Sequence, residues 1–148
     1  MYNEIMLISA KSTYAIRVLV DMAQNGGEEK YICISEIVER QKISRKYLES
    51  IMTLLSKNGI IDVSRGKCGG YRLNRKPEEY RLIDILSVTE EDLCPVPCLK
   101  DCDGSCPQMA TCPPFETWKE LQDTINAFFG TKTIYDLASS CPEAKNDR

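Results

Sequence analysis

The residues of this chain best suited to chemistry are its eight cysteines: Cys33, Cys68, Cys94, Cys98, Cys102, Cys106, Cys112 and Cys141. Five fall within nineteen residues, spaced Cys94-x3-Cys98-x3-Cys102-x3-Cys106-x5-Cys112. A step of four would stack thiols on one helix face, but Pro95, Pro97, Gly104 and Pro107 argue against a helix here. A loop wrapped around a metal centre fits better, because thiolates are soft ligands for iron–sulfur clusters or zinc and a cluster takes about four. The loop is too poor in apolar groups to hold one shape by itself, so ligation would order it. It contains no C-x2-C pair, the hallmark of zinc ribbons and bacterial ferredoxins, which favours a looser cluster site. Surface disulfides and inert buried thiols are the bland alternatives. Cys33 and Cys141 stand apart and read as packing residues or bystanders, whereas Cys68 beside Lys67 could be exposed and oxidisable and is assigned no role.

The second chemical signal is charge. A formal net charge of −3 conceals a basic island, since residues 42–76 carry 9 basic and 2 acidic groups while residues 77–148 carry 6 and 14. Such asymmetry points to a partner rich in phosphates. The 148 residues contain no histidine, which removes Ser–His and Cys–His catalysis and the usual histidine-bound iron and zinc sites. No acid/base pair stands out, so an enzyme is not expected. No apolar run approaches membrane length and the first ten residues lack a basic leader, so a cytoplasmic protein with no membrane contact is expected.

The elements that must position these groups follow from periodicity. Tyr14–Ala23 is apolar nearly all round, as a central helix would be, with Gly26-Gly27 ending it. Ser35 is the expected cap of a short helix over Glu36–Gln41, and Lys42-Ile43 the turn. Ser44 then caps a helix whose Leu48, Ile51, Leu54 and Leu55 recur at helical spacing until Asn58-Gly59. This is a helix-turn-helix. Two β-runs, Ile60–Ser64 and Tyr71–Leu73, flank a basic Gly-rich tip and make a wing. Short helices are expected over Leu82–Val88 and Thr133–Ser139. A long one is expected over Phe115–Phe129, with Trp118, Leu121, Ile125 and Phe128 on one stripe and Gly130 ending it.

The second helix of such a motif puts its first residues in the major groove. Here these are Ser44, Arg45, Lys46, Tyr47 and Glu49, where Arg can pair with guanine and Glu can accept from cytosine. Arg65 and Lys67 at the wing tip suit phosphates or a narrow minor groove, and the flanking Gly66, Gly69 and Gly70 would let backbone approach the duplex. Lys42, Lys57, Arg72, Arg75 and Lys76 divide evenly between phosphate contact and simple solvation.

The run from Ile37 to Leu73 resembles the IscR-like family of bacterial iron–sulfur winged-helix regulators. The resemblance rests on Ile43-Ser44…Tyr47-Leu48-Glu49, Leu55-Ser56-Lys57-Asn58-Gly59 and Arg65-Gly66…Gly69-Gly70-Tyr71. It extends to YAIRVLVDMA, the cysteine loop, the Trp-bearing helix and the late TIYDLA. It implies a mostly α fold with a small β-wing, namely a winged helix-turn-helix over 1–90, a cluster loop over 91–113 and a dimerisation helix with C-terminal segment over 114–148. The implied function is a homodimeric transcription regulator, a repressor or an activator, that reads a pseudo-palindromic duplex under control of the cluster and serves iron–sulfur cluster biogenesis or redox or iron sensing. The resemblance assigns Cys98, Cys106 and Cys112 as ligands. Relatives with a histidine three residues after the last cysteine would have it where Phe115 stands, and those with an N-terminal acidic ligand where Thr13 stands. Cys102 and Cys94 are therefore the substitute fourth ligands, with Glu116 or a partner's group behind them. An all-thiolate site leaves [2Fe–2S], the preferred reading, and [4Fe–4S] both open. The competing readings are a zinc or thiol switch on the same fold and, from another class, a small Fe–S electron carrier.

Overall fold

A computed structural model describes residues 8–67, 69–100 and 106–140. Its elements are α1 (Ala10–Gln24), α2 (Ile34–Gln41), α3 (Arg45–Lys57), β1 (Ile61–Ser64), β2 (Gly70–Leu73), α4 (Leu82–Thr89), α5 (Phe115–Thr131) and α6 (Ile134–Ser140). The architecture is mostly helical with one two-stranded antiparallel ribbon.

Helix α1 is the hub. Ala15, Val18, Leu19 and Met22 are fully buried, and the helix packs against α2, α3, α4, α6 and β2. Around it lie Ile37 of α2, Leu48, Ile51, Met52 and Leu55 of α3, Ile61 and Leu73 of the ribbon, Ile85 of α4 and Ile134 of α6. Among the described residues one acid enters this core. Asp21 is buried and is held by Arg40 through two bonds of 2.9 and 2.8 Å and by Gln41 at 3.0 Å. Since an unpaired buried carboxylate is costly, this fork ties the end of α2 to α1 and fixes the entry to the turn.

Several helix boundaries differ from expectation: α1 begins at Ala10, four residues before Tyr14, with Ser9 Oγ accepting from the Ser12 N–H, α4 ends one residue later and α6 shifts by one residue. Helix α2 starts at Ile34 behind Cys33, not at Glu36 behind Ser35; Cys33 caps without a side-chain bond, and its thiol instead donates to the Gly69 carbonyl at 3.5 Å. Gly130 does not end α5, which runs one residue further to Thr131 before Lys132 turns extended. An interior glycine weakens a helix but need not stop it. The cap on α3 is as expected, with Ser44 Oγ accepting from the Tyr47 N–H at 3.3 Å.

The wing pairs Ile61 with Leu73, Asp62 with Arg72, Val63 with Tyr71 and Ser64 with Gly70. Ile32 adds a rung, exchanging backbone bonds of 2.8 and 2.9 Å with Tyr71. That rung and the hairpin turn explain two glycines differently from the sequence reading. A Cβ on Gly70 would stand 2.4 Å from the Ile32 carbonyl oxygen, and one on Gly69 2.3 Å from that of Ser64. Both are needed for the chain's own close approach; only Gly66, at φ +117 with open space around it, belongs to the free tip.

Candidate nucleic-acid interface and thiol loop

Helix α3 is amphipathic by construction. Burying Leu48, Ile51, Met52 and Leu55 against α1 leaves Ser44, Arg45, Lys46, Glu49 and Ser50 exposed. Arg45 Nε donates to Glu49 Oε1 at 2.9 Å, so the two expected base readers hold each other across one helical turn. Tyr47 is half-buried, with its ring edge-on to Tyr14 at 5.7 Å. Tyr71, half-buried on β2, feels the charges of this surface. Burial pushes its phenol up, the Glu49 carboxylate adds to that, and the Arg45 guanidinium opposes it. The strand pairing set Tyr71 there, and the GGY motif was its only mark in the sequence.

Arg65, Gly66 and Lys67 are exposed at the wing tip, and neither Arg65 nor Lys67 holds an ion pair among the described residues. Cys68 lies outside the described residues. Of the undecided cations, Arg72 pairs with Asp62 at 2.9 Å and lies over the Tyr31 ring, and Arg75 donates to the Gly59 carbonyl at 3.3 Å and lies over Tyr80. Both are spent on the hairpin's base. Lys42, Lys57 and Lys76 remain exposed.

The thiol loop leaves α4 through an anchored root. Glu90 Oε1 accepts from the Ser9 N–H at 2.7 Å and from the Ser12 hydroxyl, which also meets Thr89. Burial raises the Glu90 carboxyl, but these bonds and Lys11 outweigh it and hold it below the ordinary glutamate value. Next, Asp92 accepts from the Cys94 N–H at 2.8 Å and pairs with Lys100 at 3.2 Å. Short 3-10 turns over Pro97–Leu99 and Met109–Thr111 follow, as the prolines require, and only Leu99 of these is buried. Cys98 is exposed, while Cys94, Cys106 and Cys112 are half-buried. Cys102 and Cys141 lie outside the described residues. Among the described residues no three Cys, Asp or Glu side chains stand close enough to share a metal ion. Helix α5 starts three residues after Cys112 and has no buried residue, leaving Leu121 and Phe128 at 41% and 56% exposure. No helix among the described residues is long and apolar enough to cross a membrane.

Comparison with known proteins agrees with this geometry. Residues 8–140 match the family described as "Rrf2: Iron-dependent Transcriptional regulator". The chain is 36% identical over 141 residues to Protein rrf2 of Nitratidesulfovibrio vulgaris, covering 93% of each. It is 29% identical over 135 residues to the HTH-type transcriptional regulator IscR of Escherichia coli, covering 91% of this chain and 82% of that one. Among solved structures it superposes on CymR (YrzC), the global cysteine regulator of B. subtilis, with a TM-score of 0.74 at 27% identity, covering 93% of this chain and all of the other.

Proposed function

We propose that this chain, which belongs to the Rrf2 family of transcriptional regulators, acts as a homodimer whose hold on DNA is set by an iron–sulfur cluster on its thiol loop. Membership makes it a DNA-binding winged-helix regulator and not an enzyme. The rest is our reading. Residues 1–90 would bind DNA, 91–113 would hold the cluster, and 114–148 would carry the dimer contact.

In this reading Ser44, Arg45, Lys46, Tyr47 and Glu49 meet base edges in one half of a pseudo-palindrome, and Arg65, Gly66 and Lys67 meet backbone or minor groove. Cys98, Cys106 and Cys112 would hold the cluster, with Cys102 or Cys94 as the fourth ligand. The donor set fits: the described thiols are soft, reachable from solvent and outside the core. When bound, the cluster supplies a cross-link among thiolates that is made and lost with iron supply and oxidation.

The observation that carries the proposal is the continuity of Cys112 with α5. Two prolines separate the last thiol from a helix none of whose residues is fully buried and which leaves Leu121 and Phe128 exposed, so ordering the loop would bear on the apolar face that a second copy would cover. Bracing that face fixes the spacing of the two α3 helices. DNA and cluster are coupled only if they favour the same dimer state.

The test is the visible spectrum of anaerobically purified protein, with iron, sulfide and zinc counted per chain, followed by DNA affinity with and without the metal. Bands in the visible with iron and sulfide near 2:2 or 4:4, and different operator affinities for the two forms, are expected. Equal affinity of both forms for every duplex would sink the coupling. A colourless protein would leave the zinc or thiol switch, the second of which suits a fold shared with a cysteine regulator.

A further inference from the structure

Seven arginines lie among the described residues, and four of them hold carboxylates: Arg40 with Asp21, Arg45 with Glu49, Arg72 with Asp62 and Arg81 with Asp84. Arg75 is spent on a carbonyl and a ring. Arg65 is at the wing tip, inside the expected interface. That leaves Arg17, on α1, which neither the helix-turn-helix pattern nor the wing motif marks.

Arg17 is exposed yet fixed. Its Nε donates to Gln41 Oε1 and one Nη2 hydrogen to the Gln41 carbonyl, both at 3.2 Å, and its Cζ lies 5.0 Å over the Tyr14 ring. Tyr14 in turn meets Tyr47 in the first turn of α3. A guanidinium has five N–H donors. Two are used, and three are left on an exposed charge with no acid against it among the described residues. Gln41 is the last residue of α2, and exposed Lys42 and the start of α3 follow directly.

We infer that Arg17 is a backbone-phosphate contact, which brings α1 into the DNA interface beside the helix-turn-helix turn. This rests on the DNA-binding reading of α3. When the first half of α3 enters a groove, the preceding helix crosses the sugar–phosphate backbone. A guanidinium docked on the last residue of that helix stands beside the backbone, next to Lys42 and the positive end of the α3 dipole. Its fork to Gln41 removes the rotamer freedom that a phosphate contact would otherwise have to freeze. Being remote from base edges, it should add affinity without choosing sequence.

The test uses full-length protein and a duplex enriched from a random library by the wild type, bound across a salt series. Arg17→Gln should weaken all duplexes alike, about threefold to tenfold at low salt, and lower the slope of log K against log salt by about 0.9 per contacting protomer. Arg17→Lys should restore the slope while sharing any loss of Tm, because it keeps the charge but not the fork. An unchanged slope with lowered Tm in Arg17→Gln would reduce Arg17 to a cap on α2 and overturn the inference. So would a loss confined to one base position. Failure of the wild type to enrich any duplex would instead overturn the DNA reading, and this inference with it.

Discussion

At the residue scale the proposed recognition surface carries one internal ion pair, Arg45 with Glu49. With Arg45 held by Glu49, a guanine that recruits Arg45 must first displace a carboxylate, and Glu49 must then find a donor or face phosphates unpaired. In the proposed reading, wrong sequences would thereby be penalised more than right ones are rewarded. Glu49→Ala should release Arg45, flatten the ranking of a panel of operator variants, and leave the best site within about tenfold of wild type. An unchanged ranking would show that the pair plays no part in choice. These residues were legible in the sequence because helical spacing and Ser44 together fix which side of α3 is wet. Arg17 and Tyr71 were not, since their place depends on contacts across 24 residues to Gln41 and across the wing to α3.

At the element scale the turn between α2 and α3 is the strained point. Lys42 sits at φ 55, the one residue other than glycine with positive φ among those described, and so adopts a conformation that penalises any Cβ. The Asp21–Arg40 fork and the Arg17–Gln41 bonds hold α2 on one side of it, and the capped start of α3 holds the other. Lys42→Gly should raise stability by about 0.5–1 kcal/mol and Tm by a few degrees, the relief being partly offset by the freer unfolded chain. A fall in Tm would mean that the Lys42 side chain contributes packing that outweighs the strain. Most elements were legible from periodicity and caps. The start of α2 was not, because Ser35 looks the better cap by type, while the Cys33 position is set by the Ile32 rung to the wing, a contact distant in sequence.

At the scale of the whole molecule the apolar stripe of α5 is the feature a single protomer leaves unsolved. Trp118, Leu121, Ile125 and Phe128 lie on a helix with no buried residue, an arrangement water disfavours by about 25 cal/mol per Å² of apolar surface. A second copy is the occupant we propose. Leu121→Asp should leave the far-ultraviolet spectrum unchanged, since Leu121 is outside the core, and shift the light-scattering mass from twice 16.8 kDa toward 16.8 kDa. A wild type that already scatters as a monomer would refute the dimer. The thiol loop was the part least legible: cysteine spacing indicates ligation, but prolines dictate only where helices cannot be, and nothing local fixes how the thiols converge.

The Glu90 root has a mechanical consequence. By accepting from Ser9 and Ser12, the last carboxylate before the loop is pinned to the first turn of the hub helix, so the loop is a tether of fixed origin. In the proposed reading, any shift of the loop root would therefore be felt first at Ser9 and Ser12, the end of α1 opposite the Asp21 clamp on α2.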